Sequence, residues 1–208
     1  MEQLSIATGN TKLGKVHNIS LPPVRTCAGM PCQEKCYATK AWKMYLNVRE
    51  AWERNWDAYE DNPMGYFEAV AQYCIDNKVE RFRWHVAGDI PDKAYFGGMK
   101  LVARVLPETQ FLCFTKRVDR VTVARPDNLR VVISMWPKLD LCGQDINHIR
   151  EDYPVAWFSP KSGLSGDEAY DRWLVAKQHE SLECTGKCDE CFMCWYLPPG
   201  SSVRFEEH

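Results

Sequence analysis

The chain has 208 residues, a formal net charge of −2, 26% charged and 45% hydrophobic residues, a balance that supplies a core for one domain and excludes a disordered chain. No apolar run approaches the roughly 20 residues that span a bilayer, and the first residues lack the basic-then-apolar pattern of a secretory signal. A cytoplasmic protein is therefore expected, with no whole-molecule charge that points to nucleic acid.

In chain order, residues 15–20 read as a short strand stopped by Pro22 and Pro23. A helix is predicted over 38–59, with Trp42, Tyr45, Val48, Trp52 and Trp56 at helical spacing as a core stripe. A second is predicted over 64–77, after the cap-and-first-turn pair Asn62-Pro63. Alternating units follow: strands at 81–87, 110–115, 129–135 and 155–158, and helices at 91–106 and near 167–177. Near-continuously apolar strands separated by helices predict a parallel sheet buried on both faces. The fold class expected is α/β, as a partial (β/α) barrel or a short parallel sheet with flanking helices. A full eight-stranded barrel needs about 250 residues. The organisation expected is a domain over 1–180 and a Cys-rich segment over 181–208 packed on it.

Ten cysteines are many for a reducing compartment, where structural disulfides are disfavoured. Seven of them form two clusters: Cys27-x4-Cys32-x3-Cys36, and Cys184-x3-Cys188-x2-Cys191-x2-Cys194. Spacings of two to four residues let one loop fold several thiolates around one metal centre. The overlapping C-x2-C steps of the second cluster suit an iron–sulfur cube, of [4Fe-4S] type; four thiolates also suit a tetrahedral zinc. Three cysteines can hold three irons and leave a fourth open, unless His17 or a cysteine of the other cluster closes the site. Cys74, Cys113 and Cys142 read as small buried hydrophobes.

Parallel sheets carry function at the C-terminal ends of their strands. There the chain places Gly88, Asp89, Thr115, Lys116, Ser134, Trp136, Ser159 and Lys161, with His85 just upstream. His85, Asp89, Thr115, Lys116 and Ser134 are the candidates to line a cofactor or substrate pocket. Residues 10–49 hold seven Lys or Arg against one acid, and residues 150–208 hold six against eleven. Basic neighbours favour the reduced, more negative form of a thiolate-ligated cluster; the same charge would also suit a phosphate backbone.

A cysteine trio on the loop after a first strand, followed by strand–helix units, resembles the radical S-adenosylmethionine superfamily. That resemblance implies a four-iron cluster whose open iron is chelated by S-adenosylmethionine inside a partial barrel. The superfamily spacing is C-x3-C-x2-C with an aromatic before the last Cys; here it is C-x4-C-x3-C, and Tyr37 follows. A closer resemblance is to the phage gene product 88 family. It rests on residues 10–14 (Asn-Thr-Lys-Leu-Gly), 18–23, Thr26-Cys27 through Cys36-Tyr37-Ala38, His85-x2-Gly88-Asp89 and Cys188 to Trp195. It implies a phage protein in the bacterial cytoplasm and no particular activity. Three functions stay open at this point: a reductively activated iron–sulfur enzyme, a non-catalytic iron–sulfur redox sensor or DNA- or host-protein interaction factor, and a zinc-stapled structural protein.

Overall fold

The computed structural model describes residues 3–9, 12–161, 165–177 and 180–207; Asn10 and Thr11 of the first motif lie outside them. Among the described residues one sheet contains β1 (Ile6–Ala7), β2 (His17–Ile19), β3 (Arg81–Trp84), β4 (Gln110–Thr115), β5 (Leu129–Met135), β6 (Val155–Ser159), β7 (Leu182–Glu183) and β8 (Ser202–Glu206). The strand order is β1-β2-β3-β4-β5-β6-β8-β7, and every neighbouring pair except β1–β2 is parallel. The helices are α1 (Pro23–Thr26), α2 (Tyr37–Met44), α3 (Leu46–Asp61), α4 (Pro63–Asp76), α5 (Lys93–Val105), α6 (Ile146–Asp152), α7 (Glu168–Lys177) and α8 (Cys188–Cys191). Among the described residues no helix is long and apolar enough to cross a membrane.

Side chains alternate between the two faces of a strand. Phe82, Trp84, Phe111, Cys113, Val131, Ile133, Val155 and Trp157 share one buried core with Phe67 and Val70 of α4 and Tyr95, Phe96 and Met99 of α5. Their neighbours Leu112, Val132, Ala156 and Val203 form a smaller core on the opposite face. Leu13, Val16, Trp195 and Leu197 close that second core. The sheet therefore has a helix-covered face and a face covered by two irregular segments. Local chemistry fixes the helix starts: Asn62 accepts from the Gly65 N–H with Pro63 beside it, and Asp92 accepts from the Tyr95 N–H.

The sheet is strongly curled. In a flat sheet Phe114 on β4 and Phe205 on β8 would lie three strand spacings, about 14 Å, apart. Their rings instead meet edge-to-face at 5.7 Å between centroids. The concave side is the one covered by the irregular segments. A salt bridge of 2.9 Å from Lys35 to Glu207 ties the loop after β2 to the end of β8. The sheet does not close into a barrel, because β1 and β7 remain its two edges.

Some expectations need correction. The helix expected over 38–59 is broken at Tyr45, whose extended backbone (φ −115°, ψ 109°) separates α2 from α3. Most of its aromatic stripe is not core: Tyr45 is exposed and Trp42, Val48 and Trp52 are half-buried, while half-buried Trp56 does pack against the main core and Asn55 and Tyr59 are the buried residues of α3. Cys74 and Cys113 are buried as expected, but Cys142 is exposed, on a turn after β5. The Cys-rich segment contributes β7 and β8 to the sheet itself, pairing with β6.

Candidate metal centres

The N-terminal trio is set by three short turns. Pro23 starts α1 at a position where its missing N–H costs nothing. Cys27 caps the C-terminal end of α1, Cys32 precedes the turn Gln33–Lys35, and Cys36 caps the N-terminal end of α2. A thiolate at that last position faces the positive end of a helix. The Thr26 hydroxyl donates to the Pro22 carbonyl and accepts from the Asp89 N–H at 3.1 Å, so the loop is pinned to the end of β3. Gly88 makes the close approach possible. It sits at φ +82°, and a Cβ there would lie 2.7 Å from the Leu21 carbonyl oxygen and 2.9 Å from the Thr26 hydroxyl. Gly88→Ala is expected to cost at least about 2 kcal/mol, from left-handed backbone strain plus the collision; urea unfolding of the pair of proteins measures it.

Asp89 and Thr115 are buried behind the trio. The Asp89 carboxylate accepts from the Thr115 hydroxyl at 2.5 Å, the Lys116 N–H at 3.0 Å and the Ile90 N–H at 2.7 Å. Both residues thus organise the ends of β3 and β4 rather than present free polar groups. Lys116 is different: its ammonium lies 5.6 Å from the Trp136 ring centre, and its charge acts on Cys27 and Cys32. Trp136 stacks on Phe158 at 3.7 Å. Ser134 is half-buried on the concave face, paired in register with Ala156. Burial and the Asp89 charge push the Cys27 thiol up to about 12. His17, the alternative fourth ligand, has its Nδ1 2.9 Å from the Tyr73 hydroxyl on the helix-covered side.

His85 does not face this site. Its φ of +54° turns the ring into the helix-side core, where Nε2 lies 3.1 Å from the Tyr95 hydroxyl and Nδ1 3.9 Å from the Cys113 sulfur. The Tyr95 hydroxyl is 2.7 Å from that of Tyr66. Burial, helped by the Arg83 charge, lowers the His85 imidazole to about 3. An unfolded histidine takes up a proton near pH 6.5 and the folded one does not, so stability falls as the pH drops through that value. Between pH 6.5 and 5 the wild type should lose about 2 kcal/mol more than His85→Gln does, read as the difference between their unfolding free energies.

The C-terminal quartet packs on the concave face. The Cys184 N–H donates to the Arg204 carbonyl and the Cys188 N–H to that of Lys12, both within 3.0 Å. The indole N–H of Trp195 donates to the Gln110 carbonyl at 3.2 Å, and Arg81 lies over Phe192 at 4.1 Å. Phe192, left-handed at φ +49°, turns the chain between Cys191 and Cys194. Gly14 admits α8: at φ +55°, any Cβ would collide with the Asp189 carboxylate, which accepts from the Lys15 N–H. Cys184, Cys188 and Cys191 all act electrostatically on Cys194, so the four thiols form one group. Burial pushes Cys194 up to about 12 and raises Cys188 as well. All ten cysteines are free thiols, and among the described residues no three His, Cys, Asp or Glu side chains converge on a single metal ion.

Sequence reasoning missed Arg83. It rises from β3 onto the concave face, half-buried, with its guanidinium 4.7 Å from the Phe114 ring centre. Its Nε is buried without a hydrogen-bond partner among the described residues. Its charge acts on Cys188, Cys194 and Tyr37. Arg83 forms no ion pair among the described residues, and metal-bound thiolates at Cys188 and Cys194 would give this half-buried cation a counter-charge. That charge would suit an anionic, thiolate-ligated group. The signal was the alternation Arg81-Phe82-Arg83-Trp84, which puts both arginines on one face of the strand.

The model of the family described as Gene product 88 matches residues 3–196. The chain belongs to the Gene product 88 family of phage proteins. The match takes in both cysteine clusters and ends before β8. Comparisons with curated proteins and with solved structures give no match. Membership in the Gene product 88 family brings no activity to these thiols, so their chemistry is argued from the residues.

Proposed function

We propose that the chain is an iron–sulfur protein with two centres. Cys184, Cys188, Cys191 and Cys194 would close one with four thiolates. Cys27, Cys32 and Cys36 would hold the other with three and leave one iron for an outside ligand. The observation that carries the reading is the quartet itself, in which Cys184, Cys188 and Cys191 all act on Cys194 and the half-buried Arg83 charge acts on Cys188 and Cys194. The Lys116 charge acts on Cys27 and Cys32, with the buried Asp89 carboxylate opposing it. Such a group, when bound, supplies one-electron reduction at its open iron. The chain's part is to balance its negative charge with Arg83 and Lys116, to dock the trio through Thr26, Gly88 and Asp89, and to cover the concave face with Trp195 and Leu197.

The radical S-adenosylmethionine likeness belongs to this reading. A three-cysteine loop follows β2, the first strand in a parallel pair of the curled sheet, and lies at the C-terminal ends of β3 and β4, where Lys116, Trp136 and Ser134 would meet a ligand. The test is the count of iron, acid-labile sulfide and zinc per chain after anaerobic purification, followed by addition of S-adenosylmethionine to the reduced protein. About eight irons with as many sulfides are expected from two four-iron centres. A spectral change on addition supports the enzyme; none leaves a redox sensor. Zinc without sulfide overturns the proposal in favour of a structural zinc site in the C-terminal quartet.

A further inference from the structure

The exposed residues of α2 are Tyr37, Lys40, Lys43 and Met44, and exposure continues past the helix end through Tyr45, Leu46 and Asn47. Spacings of three and four put Tyr37, Lys40 and Met44 on one side of the helix. Tyr37 is 57% exposed, Met44 70% and Tyr45 54%. The Tyr37 hydroxyl donates to the Val86 carbonyl, which pins an otherwise exposed ring. Tyr45 stands at the break between α2 and α3, on extended backbone. Residues 37–49 contain Lys40, Lys43 and Arg49 and no acid; Glu50 ends the run. Nearby Arg25 and Lys35 are paired with Glu53 and Glu207, whereas Lys40, Lys43 and Arg49 form no salt bridge among the described residues. Glu53 also accepts from the Trp42 indole N–H at 3.2 Å, and Arg49 lies over the Trp42 ring at 5.6 Å.

We infer that this ridge binds single-stranded DNA, with bases stacked on Tyr37 and Tyr45 and the intervening phosphates met by Lys40, Lys43 and Arg49. The site needs no metal. Aromatic rings with cations between them suit a single strand, because every base has a face to stack and every nucleotide a charge to neutralise. The eight residues of α2 span about 12 Å, room for three or four nucleotides at the roughly 3.4 Å spacing of a stacked strand. A membrane-binding helix would present a continuous apolar stripe; here two lysines separate Tyr37 from Met44. Ring faces, ammonium groups and a thioether do not select a 2′-hydroxyl, so the strand is DNA.

The test is fluorescence anisotropy of a labelled DNA 20-mer of mixed sequence with the full-length protein. Wild type is compared with Lys40→Glu/Lys43→Glu, Tyr45→Ala and the control Lys93→Glu, all at exposed positions. Three cations on phosphates predict a slope of about −2 in log affinity against log salt for wild type. The double variant should bind at least about tenfold more weakly, with the slope reduced to about −0.7. Tyr45→Ala should also lose about tenfold but keep the wild-type slope, since it removes stacking and not charge. Lys93→Glu should bind as wild type does. No binding at about 50 mM salt, equal binding by wild type and double variant, or an equal loss in Lys93→Glu overturns the site. Tighter binding to duplex DNA or to RNA of the same sequence overturns it too, as does binding to phosphatidylserine vesicles that the same variants abolish.

Discussion

Arg83→Met should stabilise the metal-free chain and destabilise the loaded one. Without metal, the half-buried Arg83 keeps a buried, unpartnered Nε beside the Cys188 and Cys194 thiols. An unsatisfied buried polar group costs about 1–3 kcal/mol. Methionine ends near the position of Nε and removes the unpartnered donor while keeping the apolar stem, so the metal-free variant should unfold about 1–2 kcal/mol later. With metal bound as proposed, the four cysteines would be thiolates and Arg83 would be a counter-charge to Cys188 and Cys194. Removing one partner of a buried ion pair costs about 3–5 kcal/mol. Arg83→Lys should restore part of this, since charge and not hydrogen-bond geometry is what the site lacks. Denaturant unfolding of both forms, with iron release followed over time, reads the sign directly. The same sign in both forms would remove Arg83 from the metal site.

The second large effect separates the two clusters. Replacing Cys184, Cys188 and Cys191 by Ala, or Cys27, Cys32 and Cys36 by Ala, should each lower iron and sulfide from about eight to about four per chain. Their structural costs should differ. Trp195 and Leu197 close the core over Leu112, Val132 and Ala156, and they are held in place by the segment that the quartet folds. Its deletion should therefore loosen the concave face, and a chelator acting on the wild type should do the same. The trio lies outside both hydrophobic cores apart from Cys27, which is buried against Thr26 and Asp89. Its deletion should leave global stability nearly intact while abolishing any response to S-adenosylmethionine. Full iron in either variant would refute the ligand assignment.

The strands β3 to β6 were legible because burial on both faces leaves near-continuous apolar runs. β7 has two residues, too few for any period. β8, Ser202–Glu206, does alternate, but its meaning depends on the cysteine segment beside it. The break at Tyr45 carries no Gly or Pro, so only the tertiary packing of α3 decides it. At the site, strand-end logic located Asp89, Thr115 and Lys116, and the structure gathers them behind the trio. It missed the turn of His85: regular alternation after Arg83 and Trp84 would put that ring on the concave face, and a left-handed backbone, which no local residue announces, sends it to the other.

The strand order also dictates when the quartet can form. β7 precedes β8 in the chain yet lies outside it, hydrogen-bonded to β8 and not to β6. As the chain leaves the ribosome, β7 and Cys184 emerge with no strand to pair with, and the gap beside β6 fills only when residues 202–206 arrive. The quartet is bracketed by these two strands, so its scaffold is completed after all four of its cysteines have been translated. The complete scaffold of the proposed metal site therefore exists only once residues 202–206 have joined the sheet.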